Sequence, residues 1–326
     1  MSDDPIAMII EPYRYPIDEC DIPVVRHPLL QEYRKFRHAC LESLNGHSPT
    51  SVMNQVYDLT WYTAVFRTLN ESRRMEPERN VNGAMWGLIT AGYAQMMILG
   101  IRRLVDRDPQ TDSLWSVIDR LEKRPEFLTR ELFICYDGLP FAPTPGHKAL
   151  QEKVLTSDEP QYRRLPMAGP DAWAASELMH AAFDKWLGAP QRRRRLDRIP
   201  GGVLVKLKDR LNGPAIKTIK TIADRHVAHA ERISPDSKTH LETTYNDINN
   251  ALSEIVRIAN YVSGHVFYDT TFGSAVATPQ YDVLEALDQP WVTTANLSAL
   301  NEQWHRISNE MDEWVSTPFE LSGDLD

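Results

Sequence analysis

The chain has 326 residues, of which 42% are hydrophobic and 25% are charged, and its formal net charge at pH 7 is −9. This composition is typical of a globular protein with a sizeable core. The acidic balance excludes a surface that attracts polyanions as a whole, so any nucleic-acid site must be a local basic patch.

The three cysteines, Cys20, Cys40 and Cys135, are widely spaced and form no Cys-x-x-Cys pair. This pattern argues against a disulfide framework or a zinc ribbon and favours a reducing compartment. The chain begins with the acidic segment Met1-Ser2-Asp3-Asp4 and lacks a basic start followed by an apolar run. We therefore expect no signal peptide and a cytoplasmic protein.

Proline, glycine and apolar spacing define the first two predicted helices. Pro28 opens the first helix and Gly46 ends it. Ser48 and Pro49 have the pattern of an N-cap followed by a first-turn proline, so we expect the second helix to start there. Its apolar stripe comprises Val52, Val56, Leu59, Thr63 and Phe66.

The third predicted helix contains an uncharged segment, Ala84 to Ile101, which is close to the lower length limit for a membrane span. A helix buried in the middle of a bundle has the same composition, and polar residues such as Gln95 favour that interpretation. We therefore expect a buried helix and no membrane. A short amphipathic helix follows from about Ser113.

A proline-rich region separates the two halves of the chain. Asp137 to Pro170 contains six prolines and predicts a long loop or insertion. A helix from Pro170 to Leu187 follows. The arginine run then comprises Arg192, Arg193, Arg194 and Arg195. Such a run is either a solvated loop or, in an acidic protein, the concentrated element that binds a polyanion.

Three further helices are predicted in the C-terminal part. Asn212-Gly213-Pro214 breaks the chain and opens a helix that continues to the histidines at 226 and 229. The next helix has the clearest apolar stripe, in steps of three and four, and the last carries widely spaced aromatic and aliphatic residues. These sets are Leu241, Tyr245, Ile248, Leu252, Ile255, Ala259, Val262 and Val266, and then Trp304, Ile307, Met311 and Trp314.

No strand-like alternation of useful length occurs in the sequence, which predicts an all-α protein, most simply an antiparallel helical bundle. We assign residues 1–23 to an N-terminal arm and 24–268 to the bundle, with 137–202 as an insertion. Residues 269–326 form a helical extension. The long stripe over 241–266 also predicts a homodimer.

The candidate site lies on the helix that ends in the histidines. Arg225 and His229 are four residues apart, which places them on one helix face, and Arg232 follows on the same side. An arginine clamps a phosphate bidentately and a histidine titrates near neutrality, so the pair suits a phosphodiester, with Arg232 or His226 as a second donor. The alternative is a surface helix with scattered basic residues.

A metal site is the competing interpretation of the same histidines. His226 and His229 are spaced by three residues, but a further ligand would have to come from the loop residues Asp236 and His240. Because this ligand set is incomplete, we expect no metal and no other cofactor.

Two passages of the sequence resemble the AbiU-like branch of the HEPN superfamily. The first runs from Arg103-Leu104-Val105-Asp106 to Ser113-Leu114, and the second is Asp224-Arg225-His226-Val227-Ala228-His229-Ala230. They occur in the expected order, followed by a long amphipathic helix. The resemblance spans about Val24 to Phe267 and leaves the arginine run outside.

This resemblance implies a helical bundle, usually a homodimer, from toxin–antitoxin and abortive-infection systems, and often a metal-independent endoribonuclease whose partners are RNA and an inhibitor protein. His229 matches the family's histidine and Asp224 its polar position, but Ala223 stands where the arginine is expected. Arg225 could replace that arginine, or the protein could be a silent bundle that binds a protein, nucleotide or RNA. In a silent relative, arginine at Ala223 would be expected to restore cleavage.

Overall fold

A computed structural model describes residues 13–76, 82–143, 170–188, 192–227, 243–269, 273–276, 278–285, 287, 289 and 294–316. Contacts divide the chain into two compact units, residues 1–277 and 278–326. Within the described residues there is no strand, and β-type pairing is limited to an isolated antiparallel bridge between Thr129 and Arg198. The prediction of an all-α protein is confirmed.

The helices of the first unit surround one central helix. They are α1 (His27–Asn45), α2 (Val52–Met75), α3 (Gly83–Leu104), α4 (Leu114–Glu122), α5 (Arg130–Cys135), α6 (Pro170–Leu187), α7 (Gly201–Leu211), α8 (Pro214–Ile222) and α9 (Tyr245–Tyr261). The π-helical turns Ala223–Val227 and Val262–Val266 continue α8 and α9. α9 is central because it packs on α2, α3, α7 and α8.

The starts of α1 and α2 differ in how well the sequence predicts them. α1 has Pro28 in its first turn and is followed by Gly46, as expected. The expected start of α2 at Ser48 is wrong. The carbonyl of Ser48 accepts a hydrogen bond from the N–H of Ser51 at 3.0 Å and closes a turn, so the helix starts at Val52.

α3 is buried along only part of its length. Met97, Ile101 and Leu104 in its C-terminal half are buried where the helix packs on α2, α8 and α9. Met85 and Leu88 near its start are 41% and 68% exposed, so the expectation of a fully buried helix is wrong for this half. In the described part of the chain, α3 alone is long and apolar enough to cross a membrane, a criterion that core helices of soluble proteins also meet.

From Ile248 onwards, the apolar stripe of α9 is buried inside the bundle. Ile248, Leu252 and Ile255 are buried, and the stripe continues through Val262 into the π turn. Leu241 lies outside the described residues. Because this face packs on α2, α3 and α8, it does not provide the dimer surface for which we expected it.

The predicted insertion contains α6 and ends at the start of α7. α6 has the predicted bounds, whereas residues 144–169 lie outside the description. α7 was not expected because it begins with Gly201-Gly202, which are poor helix formers. It is held instead by Leu204, Leu207 and Leu211, which are buried as α7 packs on α4 and α9.

The second unit contains α10 (Leu297–Ser316), which confirms the predicted terminal helix. Trp304, Ile307 and Met311 are exposed, at 68%, 38% and 49%. Only the helical backbone is described at Trp314. The domain boundaries drawn from the sequence remain predictions.

Candidate functional site

The candidate site begins where α8 leaves the core. Gly213 and Pro214 start the helix, and Ile216, Ile219 and Ile222 bury one face of it against α9 and α3. After Ile222 the backbone continues as the π turn Ala223–Val227. π turns occur frequently at functional sites. This π turn carries Asp224 and Arg225, two of the polar residues that the sequence predicts for the site.

Asp224 is held by an arginine from another helix. Arg102, in the last turn of α3, donates from Nε to Asp224 Oδ1 at 3.0 Å and also pairs with Asp106. The hydrogen bond to Asp224 raises the pKa of Arg102, so its guanidinium stays charged. Burial alone would raise the pKa of Asp106, but the N–H of Asp108 and the charge of Arg102 lower it. The result is a carboxylate–guanidinium–carboxylate chain beside the π turn.

Ala223 is fully buried at the start of the same turn. The turn that carries it packs on α3. The resemblance places the family arginine there, and in this chain that position belongs to the core. Arg102 instead brings a guanidinium to the adjacent Asp224, and the sequence patterns alone did not identify it. The available signal was its position next to the Arg103-Leu104-Val105-Asp106 passage.

The structure describes only part of the predicted catalytic set. Arg225 is exposed on the π turn, one residue after Asp224. His229 and Arg232 lie outside the described residues, as do Asp236 and His240 of the alternative metal set, and only the backbone is described at His226. The assignment of Arg225 and His229 as a pair therefore remains a prediction.

Two lysines on α8 extend the basic surface toward the helix start. Lys217 is exposed and Lys220 is half-buried, each following a buried isoleucine of the stripe. Within the described residues neither ammonium group has a hydrogen bond or an ion pair. The repeated Ile-Lys-Thr pattern over 216–221 is a sequence signal for this arrangement, which our sequence interpretation overlooked.

The arginine run divides into paired and unpaired side chains. Arg193 contacts Glu177 at 2.7 Å and Asp184 at 2.9 Å, and Arg195 contacts Asp21 at 2.7 Å.

Arg195 also contacts the fully buried Glu131 at 3.0 Å, so this arginine compensates an internal charge. Arg192 and Arg194 are exposed, and their guanidinium groups have no partner within the described part of the chain. Only this second pair is available to a polyanion without breaking internal ion pairs.

The metal interpretation concerns His, Cys, Asp and Glu side chains, and the structure describes part of the chain. No group of three or more His, Cys, Asp or Glu side chains there is arranged to hold a metal ion.

A known family model matches the part of the chain in which the candidate site lies. Residues 192–287 match the HEPN family model described as AbiU2. This segment contains α7, α8, the π turn and α9, and it includes the arginine run, which we expected to lie outside the resemblance. No curated protein and no solved structure matches the chain. Over residues 192–287, which are under a third of its length, the chain is therefore similar to the AbiU-like HEPN family.

Proposed function

We propose that this protein is a metal-independent endoribonuclease that acts as a toxin or phage-defence effector. The observation that carries the proposal is the exposed Arg225 next to Asp224, on a π turn within the matched segment. The match of residues 192–287 to the AbiU2 family model supports an abortive-infection effector, and the basic residues of α8 support RNA as the substrate.

The proposed reaction uses the nucleophile that RNA itself carries. His229 removes the proton of the 2′-hydroxyl, and the 2′-oxygen attacks the adjacent phosphorus to form a 2′,3′-cyclic phosphate. The bond from phosphorus to the 5′-oxygen breaks, and the 5′-oxygen leaves with a proton taken from a water molecule. Arg225 neutralises the charge that develops on the phosphate oxygens. Arg102 orients Asp224 and thereby fixes the turn that carries Arg225. Lys217 and Lys220, with Arg232, His226, Arg192 and Arg194, would contact flanking phosphates.

The second candidate is a catalytically silent HEPN bundle that binds a partner protein, nucleotide or RNA. The burial of Ala223 favours it, because the family arginine is absent and the position belongs to the core. A cytoplasmic homodimer and an antitoxin-like inhibitor belong to both proposals.

The test is cleavage of total RNA by the purified chain in the presence of a chelator. Wild type, Arg225→Ala and His229→Ala are compared with Lys206→Ala, an exposed residue of α7, as the matched control. We expect cleavage by wild type and the control and loss of about 100-fold or more in the two site variants. Cleavage that survives His229→Ala overturns the catalytic assignment. Absence of cleavage by wild type favours the silent bundle.

A further inference from the structure

A cavity of about 610 Å³ lies between α2, the end of α3 and the loop before α4. Its walls include Gln55, Asp58 and Tyr62 from one face of α2, and Met96 and Arg103 from one face of α3. The volume lies within the range of sites that hold small organic ligands. We call it the α2–α3 cavity.

Three side chains of the α2–α3 cavity have unused binding capacity. Asp58 and Arg103 are exposed, and neither has a hydrogen bond or an ion pair to another side chain in the described part of the chain. Tyr62 lies one turn after Asp58, is 39% exposed, and has a hydroxyl without a partner among those residues. The cavity thus offers an anionic acceptor, a cationic donor and an aromatic ring.

The remaining carboxylates limit the charge of any ligand. Asp106 is engaged by Arg102, and Asp112 accepts a hydrogen bond from Thr50 at 2.8 Å. Arg102 compensates Asp106, so among the described lining residues Asp58 and Asp112 leave two carboxylates against the guanidinium of Arg103. Because this field repels phosphate, the cavity favours a neutral group with hydrogen-bonding edges.

We propose that the α2–α3 cavity binds a guanine base. A carboxylate only accepts hydrogen bonds, so Asp58 suits the adjacent N1–H and N2–H donors of guanine. A guanidinium only donates, so Arg103 suits the O6 and N7 acceptors, a pairing common in nucleic-acid recognition. Tyr62 supplies the stacking surface. Adenine, cytosine and uracil each lack either the paired donors or the paired acceptors.

The cavity is joined to the candidate site by Asp106. This residue lines the cavity and pairs with Arg102, which holds Asp224. The inference rests on the proposed function only for the source of the base, since a base splayed out of RNA and a free nucleoside present the same edges. If the base belongs to RNA, the ion pairs from Asp106 through Arg102 to Asp224 connect the base-binding cavity to the π turn.

The experiment is calorimetric titration of the full chain with guanosine, inosine, adenosine and GMP. Inosine lacks the N2 donor, and we expect it to bind about tenfold more weakly than guanosine, with adenosine weaker still. Because the carboxylates repel phosphate, GMP should bind no more tightly than guanosine. Asp58→Asn, Arg103→Met and Tyr62→Leu should each weaken guanosine about tenfold. Asp209→Asn and Lys206→Met on α7 serve as matched controls and should change nothing.

Other outcomes overturn the inference or identify the source of the base. No heat with guanosine up to its solubility limit, or equal binding of guanosine and adenosine, contradicts it. So does tight GMP binding that is insensitive to Asp58→Asn. Two RNA heptamers of uridine, with either guanosine or adenosine at the centre, test whether the base comes from RNA or from a free nucleoside. Tighter binding of the guanosine heptamer that is lost in Asp58→Asn indicates RNA. Equal binding of the two heptamers indicates a free nucleoside. Guanosine binding is independent of cleavage, so the failure of one proposal leaves the other open.

Discussion

Arg102 of α3 donates to Asp224 of the π turn at 3.0 Å, although 122 residues separate them in the chain. This contact joins α3, whose uncharged sequence fits either a core helix or a membrane span, to the π turn that carries the predicted site residues. It also brings a guanidinium beside the position where the family arginine is missing.

Replacing Arg102 tests whether this contact positions the site. We expect Arg102→Met to reduce RNA cleavage about tenfold, while the free energy of unfolding falls by only about 1 kcal/mol, since the ion pairs are partly exposed. Arg102→Lys should recover part of the cleavage, because an ammonium group can pair with one of the two carboxylates. Cleavage assays and urea unfolding measure both. Equal cleavage by the methionine variant and wild type would remove Arg102 from the site.

Splitting the arginine run separates its structural and binding roles. Arg193→Gln with Arg195→Gln should lower the free energy of unfolding by on the order of 3 kcal/mol, because Glu131 is buried and loses a partner. Arg192→Gln with Arg194→Gln should leave stability unchanged and reduce the salt dependence of RNA binding, since fewer counterions are released. Urea unfolding and RNA titrations at several salt concentrations check this. A stable 193/195 variant would contradict the structural assignment.

Ala223→Arg is now expected to destabilise the protein and not to create cleavage. The methyl group is fully buried, so a guanidinium there would have to be buried without a partner or force the π turn away from α3. We expect a loss of about 3 kcal/mol or more in the free energy of unfolding. Thr218→Arg, at an exposed position of α8, is the control and should have little effect. A stable Ala223→Arg protein with new cleavage would support the silent-bundle proposal.

The sequence predicts the elements whose signals are local. The bounds of α6 and the end of α1 at Gly46 follow from proline and glycine, and the stripe of α9 follows from spacing. The contact of Arg102 with Asp224 is not local, and no periodicity connects residues so far apart. The same reason explains the arginine run: its four residues are alike in sequence, and only distant carboxylates such as Asp21 distinguish Arg195 from Arg194.

The buried His180 of α6 predicts a loss of stability in mild acid. Its Nε2 donates to the carbonyl of Phe141 at 2.9 Å, and its Nδ1 lies 3.4 Å from Arg130 Nη1, so the ring is held neutral. Burial lowers the pKa of His180, opposed by the hydrogen bond to Phe141, while the charges of Arg193 and Arg130 lower it further.

Because its folded pKa lies below the unfolded value, the unfolded state binds more protons as the pH falls below about 6.5, and stability is lost. His180→Gln should flatten the dependence of the free energy of unfolding on pH between 7 and 5.5. Urea unfolding across this range measures it, with His305→Gln, an exposed residue of α10, as the control. Identical slopes for wild type and His180→Gln would contradict the prediction.

The exposed start of α3 is the surface on which we now expect the homodimer. Leu88 and Met85 are exposed there, and the small residues Ala84, Gly87 and Ala91 allow close approach of a second helix. The other end of α3 holds Arg102, so a second copy on this helix would bring two candidate sites to the same assembly. Leu88→Lys should convert a particle of twice 37.3 kDa into one of 37.3 kDa in light scattering, because a charge at the centre of the interface is costly to bury. Thr68→Lys, exposed on α2, should leave the dimer intact. A wild-type monomer would exclude the dimer, and a Leu88→Lys dimer would place the interface elsewhere.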